Sequence, residues 1–392
     1  MLLFRSNSPH ARRVLTYPFV KTRLREENIR SRENNNLNKF RYIVFLALLL
    51  ALPMSAKKVQ PKEVAPLSAE QEQQFMYYWY AAKAAIAEEN YDEAYMLLEF
   101  CRMLKPDDGQ TLQFLGVIYE STHQPELAKA TYKQAFEVAP RDQWRRYAEW
   151  LQQEESSYAA PEAIEVMETA LKAYNEEANN RKSKDKRQKT NIVTDEELLE
   201  HLKKSYTAGK QWQKALEMQD ALDRVKGPDD QSAYFRYRVY GWWGKYKEAL
   251  EVVDNYLQEN PSDVQFLLFR AFTQERLKVK DEQIYATYEK ILELDAYNAT
   301  ALNGYAYLLA IRGGDLKKAE IMSEITIHQH PTEAAYLDTY GWILHLQGHN
   351  ELAAFYLQRA LQYCSDEEAE MKEVILMHYA EVLGRKNVKG KK

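Results

Sequence analysis

Pro106 and Pro140 stand 34 residues apart, and each closes a stretch of the same internal design. An alanine lies twelve residues before each of them, Ala94 and Ala128, and the same interval joins Ala249 to Pro261 and Ala319 to Pro331. A fixed period of this length marks a stack of like supersecondary units, none of which can bury its apolar face alone. It excludes a fold organised around one central core.

The unit itself is legible in "YLDTYGWILHLQGHNELAAFYLQRAL", Tyr336 to Leu361. Apolar residues recur at helical spacing in both halves, and Gln347-Gly348-His349 between them reads as a helix stop and a turn. Gly341 lies inside the first helix, where glycine costs about 1 kcal/mol relative to alanine. Such a residue marks close approach by another helix. Ala353 and Ala360, seven apart, share one face of the second helix. The stretch therefore predicts two antiparallel helices in contact through Gly341 and Ala353. "LQFLGVIYESTHQPELAKATYKQAFEVAP" repeats the pattern with Leu115, Gly116 and Tyr119 on the first helix and Ala128, Ala135 and Pro140 on the second.

On these residues the chain resembles the tetratricopeptide repeat (TPR) family, and among its members the exported TPR proteins of Gram-negative bacteria. The resemblance covers nearly everything after about residue 75. It implies an all-α, right-handed superhelical solenoid of antiparallel helix pairs. Units are expected near Phe75, Thr111, Gln143, Glu196, Asp230, Asp263, Asn298 and Thr332, about eight in all. Only those around Gly116 and Gly341 keep the first-helix glycine. The unit near Tyr147 to Asn175 is degenerate, and Ile284 replaces the small residue in the unit near Phe266 to Ala296. A last helix, Glu367 to Leu383, reads as half a repeat whose Glu368, Glu370, Lys372 and Glu373 give a polar end. The solenoid thus spans 75–383, with a charged polar linker at 176–194 around the basic run "RKSKDKRQK" and a basic tail at 384–392. Thr194 is the expected N-cap of the next helix, in a capping box with Glu197.

Composition fits an all-helical chain: 13 glycines and 12 prolines are few for 392 residues. The head of the chain differs. "KFRYIVFLALLLALPMSA" carries two cations, an apolar run of eleven residues from Tyr42 to Leu52, and then small residues. A span needs about 20 apolar residues and a signal-peptide core about 7–15. Residues 38–56 therefore read as a signal peptide or an uncleaved N-terminal anchor, followed by a linker at 57–74. Residues 1–37 are basic and polar and do not suit the start of a signal peptide; one expectation is that translation begins at Leu37. The expected location is exported, either periplasmic or tethered to the inner membrane, with membrane contact only through the apolar segment.

No reaction chemistry is visible. The chain has no glycine-rich phosphate loop, nucleophile elbow or HExxH motif. His345 and His349 are four apart, but Gly348 breaks their helix and no Cys or acidic ligand follows at metal spacing. Cys101 and Cys364 read as buried small hydrophobes. Net charge is −5, and one basic run without interleaved aromatics does not make a nucleic-acid surface. No enzyme activity, cofactor, metal or nucleic acid is expected.

The resemblance implies a partner on the concave face, lined by the first helices. Carried onto this chain, the variable positions there are Trp79, Lys83, Tyr234, Arg238, Trp242, Asn303, Tyr307, Asp338, Trp342 and His345. Asp338, Trp342 and His345 form one helical stripe suited to a peptide with a cation and an apolar anchor. The competing reading makes Trp79, Trp242 and Trp342 packing residues. The expected function is a non-catalytic scaffold or adaptor of the bacterial envelope that binds another protein or peptide. The alternative is an envelope carbohydrate-binding repeat protein that stacks sugars on Trp and Tyr, prompted by 28 tyrosines.

Overall fold

Many helix starts are marked by recognisable chemistry. Asp108, Asp229, Asp263, Asn298 and Asp315 cap helix starts, their side chains accepting the backbone N–H three residues on at 2.8–3.0 Å. These side chains satisfy donors that the first turn of a helix leaves orphaned. The computed structural model describes residues 66–184 and 195–384. The expectations for the N-terminal segment, the apolar run and the basic tail, and part of the linker, lie outside the described residues.

The described residues from Ser68 onward belong to one unit. They form seventeen helices and no strand. The pairs are α1 (Ala69–Ala87) with α2 (Tyr91–Leu104), α3 (Gly109–Ser121) with α4 (Pro125–Val138), and α5 (Pro140–Glu154) with α6 (Pro161–Lys184). Then come α7 (Glu196–Ala208) with α8 (Trp212–Lys226), α9 (Asp230–Trp243) with α10 (Tyr246–Glu259), and α11 (Val264–Leu277) with α12 (Asp281–Leu294). The last are α13 (Ala299–Arg312) with α14 (Leu316–Gln329) and α15 (Ala334–Leu346) with α16 (Asn350–Tyr363); α17 (Ala369–Val382) closes the stack. Each helix packs mainly on its neighbours in sequence, the arrangement of a TPR-like solenoid.

One turn recurs in all eight pairs. A single residue takes a left-handed backbone: Glu89, His123, Ser156, Lys210, Gly244, Lys278, Gly313 and Gly348, with φ between 49° and 90°. The N–H of the following residue then bonds a carbonyl five residues back, as Asn90 does to Ala85 and His349 to Leu344. This is the Schellman closure of a helix. Only three of the eight left-handed positions carry glycine, so composition shows the turn at Gly348 and hides it at Lys210.

Within each pair the helices meet through small residues. Ala94, Ala128, Ala163, Ala215, Ala249, Ala319 and Ala353, near the starts of seven second helices, are wholly buried, and Ile284 takes the place in α12. A Cβ on Gly341 would lie 2.8 Å from Leu357 Cγ and 3.2 Å from the Ala353 carbonyl oxygen. The contact through Ala353 is as expected, and Leu357 is its other wall. A third close glycine works between units: a Cβ on Gly304 in α13 would lie 2.5 Å from the Tyr288 hydroxyl of α12.

Three local expectations differ from the structure. The cap of α7 is Asp195, whose side chain accepts from Glu197 N–H at 3.0 Å. Asp reaches the second backbone donor directly, so no capping box with Thr194 is needed. Helix α6 continues to Lys184, well into the stretch read as linker, because nothing from 176 to 184 breaks a helix. The end formed by α17 is also less polar than expected, with Leu376 and Met377 about half exposed.

Between α8 and α9, Asp223 accepts hydrogen bonds from the Ser232 hydroxyl, the Arg236 guanidinium and the Gln219 amide. Burial works against its charge, yet these donors hold the carboxyl below the usual carboxylate range. A depressed carboxyl contributes stability that is present above its unfolded pKa, about 3.9, and lost as pH falls through the folded value. Asp223→Asn should therefore lower Tm at pH 7 and flatten the fall of Tm below about pH 4, as followed by circular dichroism.

Two substitutions test the packing and the turn in opposite directions. Gly341→Leu should cost about 1–3 kcal/mol by overpacking against Leu357. Lys210→Gly should raise stability by up to about 1 kcal/mol, because a non-glycine residue in the left-handed region costs about 1–2 kcal/mol. Urea unfolding midpoints measure both, and an unchanged Gly341→Leu midpoint would contradict the close approach.

Candidate interaction surface

At three steps a first helix packs on the first helix of the next unit: α3 on α5, α13 on α15 and α15 on α17. No pair of second helices packs to that extent among the described residues. The first helices therefore lie on the inner side of the stack, and their outward positions line it.

The N-terminal candidates form a small exposed group. Trp79 is half-buried, edge-on to Phe114 of α3 at 6.1 Å, with Lys83 Nζ 4.5 Å above its ring. Trp79 thus packs between units and also holds a cation.

On α9, Tyr234, Arg238 and Trp242 follow at four-residue spacing, one above another. The Arg238 guanidinium lies 4.4 Å from the Trp242 ring and 5.4 Å from that of Tyr234. Its Nε is buried without a hydrogen-bond partner. Tyr234 stacks on Phe269 of α11 at 5.7 Å, whereas Trp242 is 49% exposed. Of the three, Tyr234 is tied to the core and Trp242 is open.

The sequence candidates skip α11, which contributes Phe272 and Glu275. Arg276 lies 5.2 Å from the Phe272 ring. Glu275 accepts from the Tyr288 hydroxyl, yet burial prevails and pushes its carboxyl above the usual range. Both follow from counting along the repeat, since Phe272 falls where Arg238 and Tyr307 fall in their own helices.

On α13, Asn303 Oδ1 is buried and has no hydrogen-bond partner. Tyr307, half-buried four residues on, has its hydroxyl pushed up by burial, with the Asp338 and Glu275 charges adding to the effect. The carboxylates of α11 and α15 therefore flank Tyr307.

On α15 the expected stripe exists but is engaged. Asp338 is only 7% exposed, and His378 of α17 donates from Nδ1 to its carboxylate, at 2.9 and 3.1 Å from the two oxygens. The His378 ring stacks on Trp342 at 4.2 Å and 21°. His345 lies 5.1 Å from Trp342 and has Nδ1 2.7 Å from Asn350 Oδ1. Trp342 and His345 remain half-buried on the inner side, whereas Asp338 is already hydrogen-bonded by this chain's own helix. His378 is invisible to spacing within one repeat because it lies forty residues from Asp338. The tryptophans thus divide: Trp242 is open, Trp342 is covered in part by α17, and Trp79 bridges two units.

Among the described residues no group of three His, Cys, Asp or Glu could hold a metal ion, and both cysteines are free and buried. No described helix is long and apolar enough to cross a membrane. The architecture is that of a helical-repeat protein of TPR-like fold.

No protein-family model matches the chain, and no curated protein matches it. Solved structures do show a likeness. A tetratricopeptide repeat protein from Parabacteroides merdae is 16% identical, covering 79% of this chain and 99% of its own, with a TM-score of 0.37. The C-terminal part of a TPR repeat-containing protein from Cytophaga hutchinsonii is 16% identical over 67% of this chain and 98% of its own, with a TM-score of 0.42. YrrB, described as a TPR protein with an unusual peptide-binding site, is 15% identical over 52% of this chain and 98% of its own, with a TM-score of 0.36. Likenesses of this size carry no argument about a ligand.

The grip on α17 is open to test. Asp338→Ala removes the buried acceptor of His378, and a hydrogen bond to a charged group contributes about 1.5–3 kcal/mol. Amide exchange in Ala369–Val382 should speed up by about one to two orders of magnitude while that of α7 stays unchanged. Uniform protection in both helices would mean that α17 is held by its apolar face alone.

Proposed function

We propose that this protein is a non-catalytic scaffold of the bacterial envelope that holds a partner protein or peptide on the inner surface of its C-terminal half, α9 to α15. One observation carries the reading: planar side chains, Arg238, Phe272, Tyr307 and Trp342, stand half-buried on successive first helices. Such rings are common anchors of interfaces, since they bury large area at low entropic cost. The envelope assignment rests on the apolar run from Tyr42 to Leu52 behind Lys39 and Arg41, whose length suits export.

The sugar-binding alternative draws on the abundance of tyrosine, and the structure gives many tyrosines another task. Tyr147, Tyr206 and Tyr305 donate their hydroxyls to Glu162, Glu168 and Glu289 at 2.6–2.8 Å, each joining two helices. They are not free to form a platform.

A photo-crosslinking residue placed at Tyr307 should capture a discrete partner from envelope fractions, whereas the same group at Ile321, exposed on a second helix, should not. Capture through Ile321 alone would move the interface to the outer surface and refute the reading.

A further inference from the structure

The first helix pair carries an apolar face that the rest of the stack leaves uncovered. Tyr77, Tyr80 and Met76 lie exposed within one turn of α1, and Met96, Phe100 and Met103 recur at helical spacing along α2. The buried residues of α1, Phe75, Ala82 and Ala85, hold its other side to the core. The two exposed stripes join where the helices meet. The Tyr78 ring stacks on Phe100 at 5.1 Å and lies edge-on to Tyr77 at 5.6 Å.

The size of this face decides what can cover it. The six side chains are 42–71% exposed, so at about 200 Å² for each when fully free they offer water about 700 Å². The largest apolar patch of an ordinary monomer is about 300–600 Å². A specific interface buries about 800 Å² on each partner. Apolar side chains alone therefore nearly supply one side of an interface here, and aromatic rings with methionine are what interface centres favour. The opposite end of the stack is too small a match. Leu376, Met377 and Leu383 of α17, 43–49% exposed, offer about 300 Å² by the same measure, so head-to-tail contact would leave more than half of the α1–α2 face in water. The same face on a second copy has an equal area, and two-fold pairing covers both at once.

We infer that the protein pairs with a second copy of itself through α1 and α2, as a two-fold dimer joined at its first repeat. The contact uses no part of α9 to α15, so it stands or falls apart from the inner-surface reading.

The test is thiol crosslinking of the full chain in mild detergent. Both native cysteines are buried, and burial pushes the Cys101 thiol up to about 11, so an introduced surface thiol reacts first. Tyr77→Cys, at the centre of the face, should give a covalent dimer with a short bismaleimide, whereas Leu376→Cys should stay monomeric. Adding Tyr80→Glu should cut the Tyr77→Cys dimer at least ten-fold with helical dichroism unchanged, and Tyr80→Phe should leave it intact. A monomeric Tyr77→Cys overturns the inference, and one shielded from a soluble maleimide only by phosphatidylethanolamine–phosphatidylglycerol vesicles would assign the face to lipid instead. A mixed product between Tyr77→Cys and Leu376→Cys chains would make the contact head-to-tail and overturn it too. So would a dimer indifferent to Tyr80→Glu, which would place the pairing elsewhere in the chain.

Discussion

The close crossing of two helices at a small residue is the constraint on which the rest of this molecule depends. Two helices that must approach this closely cannot both bring bulk to the crossing, because interiors are packed to near-crystalline density. Seven second helices answer with a wholly buried alanine. Their first helices are then free to vary: Gly116 and Gly341 leave the opposite side empty, whereas Tyr237 fills it across from Ala249. In the pair α11–α12 the sizes are exchanged, with Ile284 on the second helix and a wholly buried Ala271 on the first. What these pairs share is a small residue on at least one side of the crossing, not a residue type at a fixed side.

Contacts between units use a second device. Tyr206 of α7 donates to Glu168 of α6, and Lys214 of α8 completes the group at 2.8 Å. Tyr305, Glu289 and Lys318 repeat this arrangement among α13, α12 and α14, with Lys318 3.1 Å from Glu289. In both, the tyrosine ring covers apolar surface and its hydroxyl reaches a carboxylate nearer solvent. Burial pushes these hydroxyls up, so they remain donors across the physiological range. The bonds from Lys214 and from Tyr305, respectively the largest effects on Glu168 and Glu289, hold both carboxyls down. The carboxylates and lysines are well exposed, so their ion pairs contribute little to stability and more to register.

What the sequence could show follows from the range of each interaction. Alanine spacing and Gly341 belong to contacts within one unit, where the period is visible, and unit starts read from Thr111, Glu196, Asp230, Asp263 and Asn298 fall within three residues of observed helix starts. The turns were half legible, because Gly244 and Gly348 announce a left-handed residue while Lys210 and Lys278 adopt it without a sequence signal. The candidate surface was legible as positions and not as states. Counting gives Asp338 and Trp342, but that one is buried and the other stacked depends on His378, which no count within a unit can reach.

The separation of packing from presentation explains why one surface can carry so varied a chemistry. The residue that meets the partner helix and the residue one step beyond it differ by about 100° around the axis. Volume at the first is fixed by the crossing, and the second is released from it. The ninth residue after the N-cap is accordingly Val117 in α3, Lys204 in α7, Arg238 in α9 and an aromatic ring in α11, α13 and α15. Before α9 only Tyr77 of α1 is planar at this position, with Val117, Ala148 and Lys204 in α3, α5 and α7, whereas from α9 to α15 every first helix carries a planar group there. The planar row ends where α17 sets His378 against Trp342, so the last helix both closes the stack and covers the end of that row.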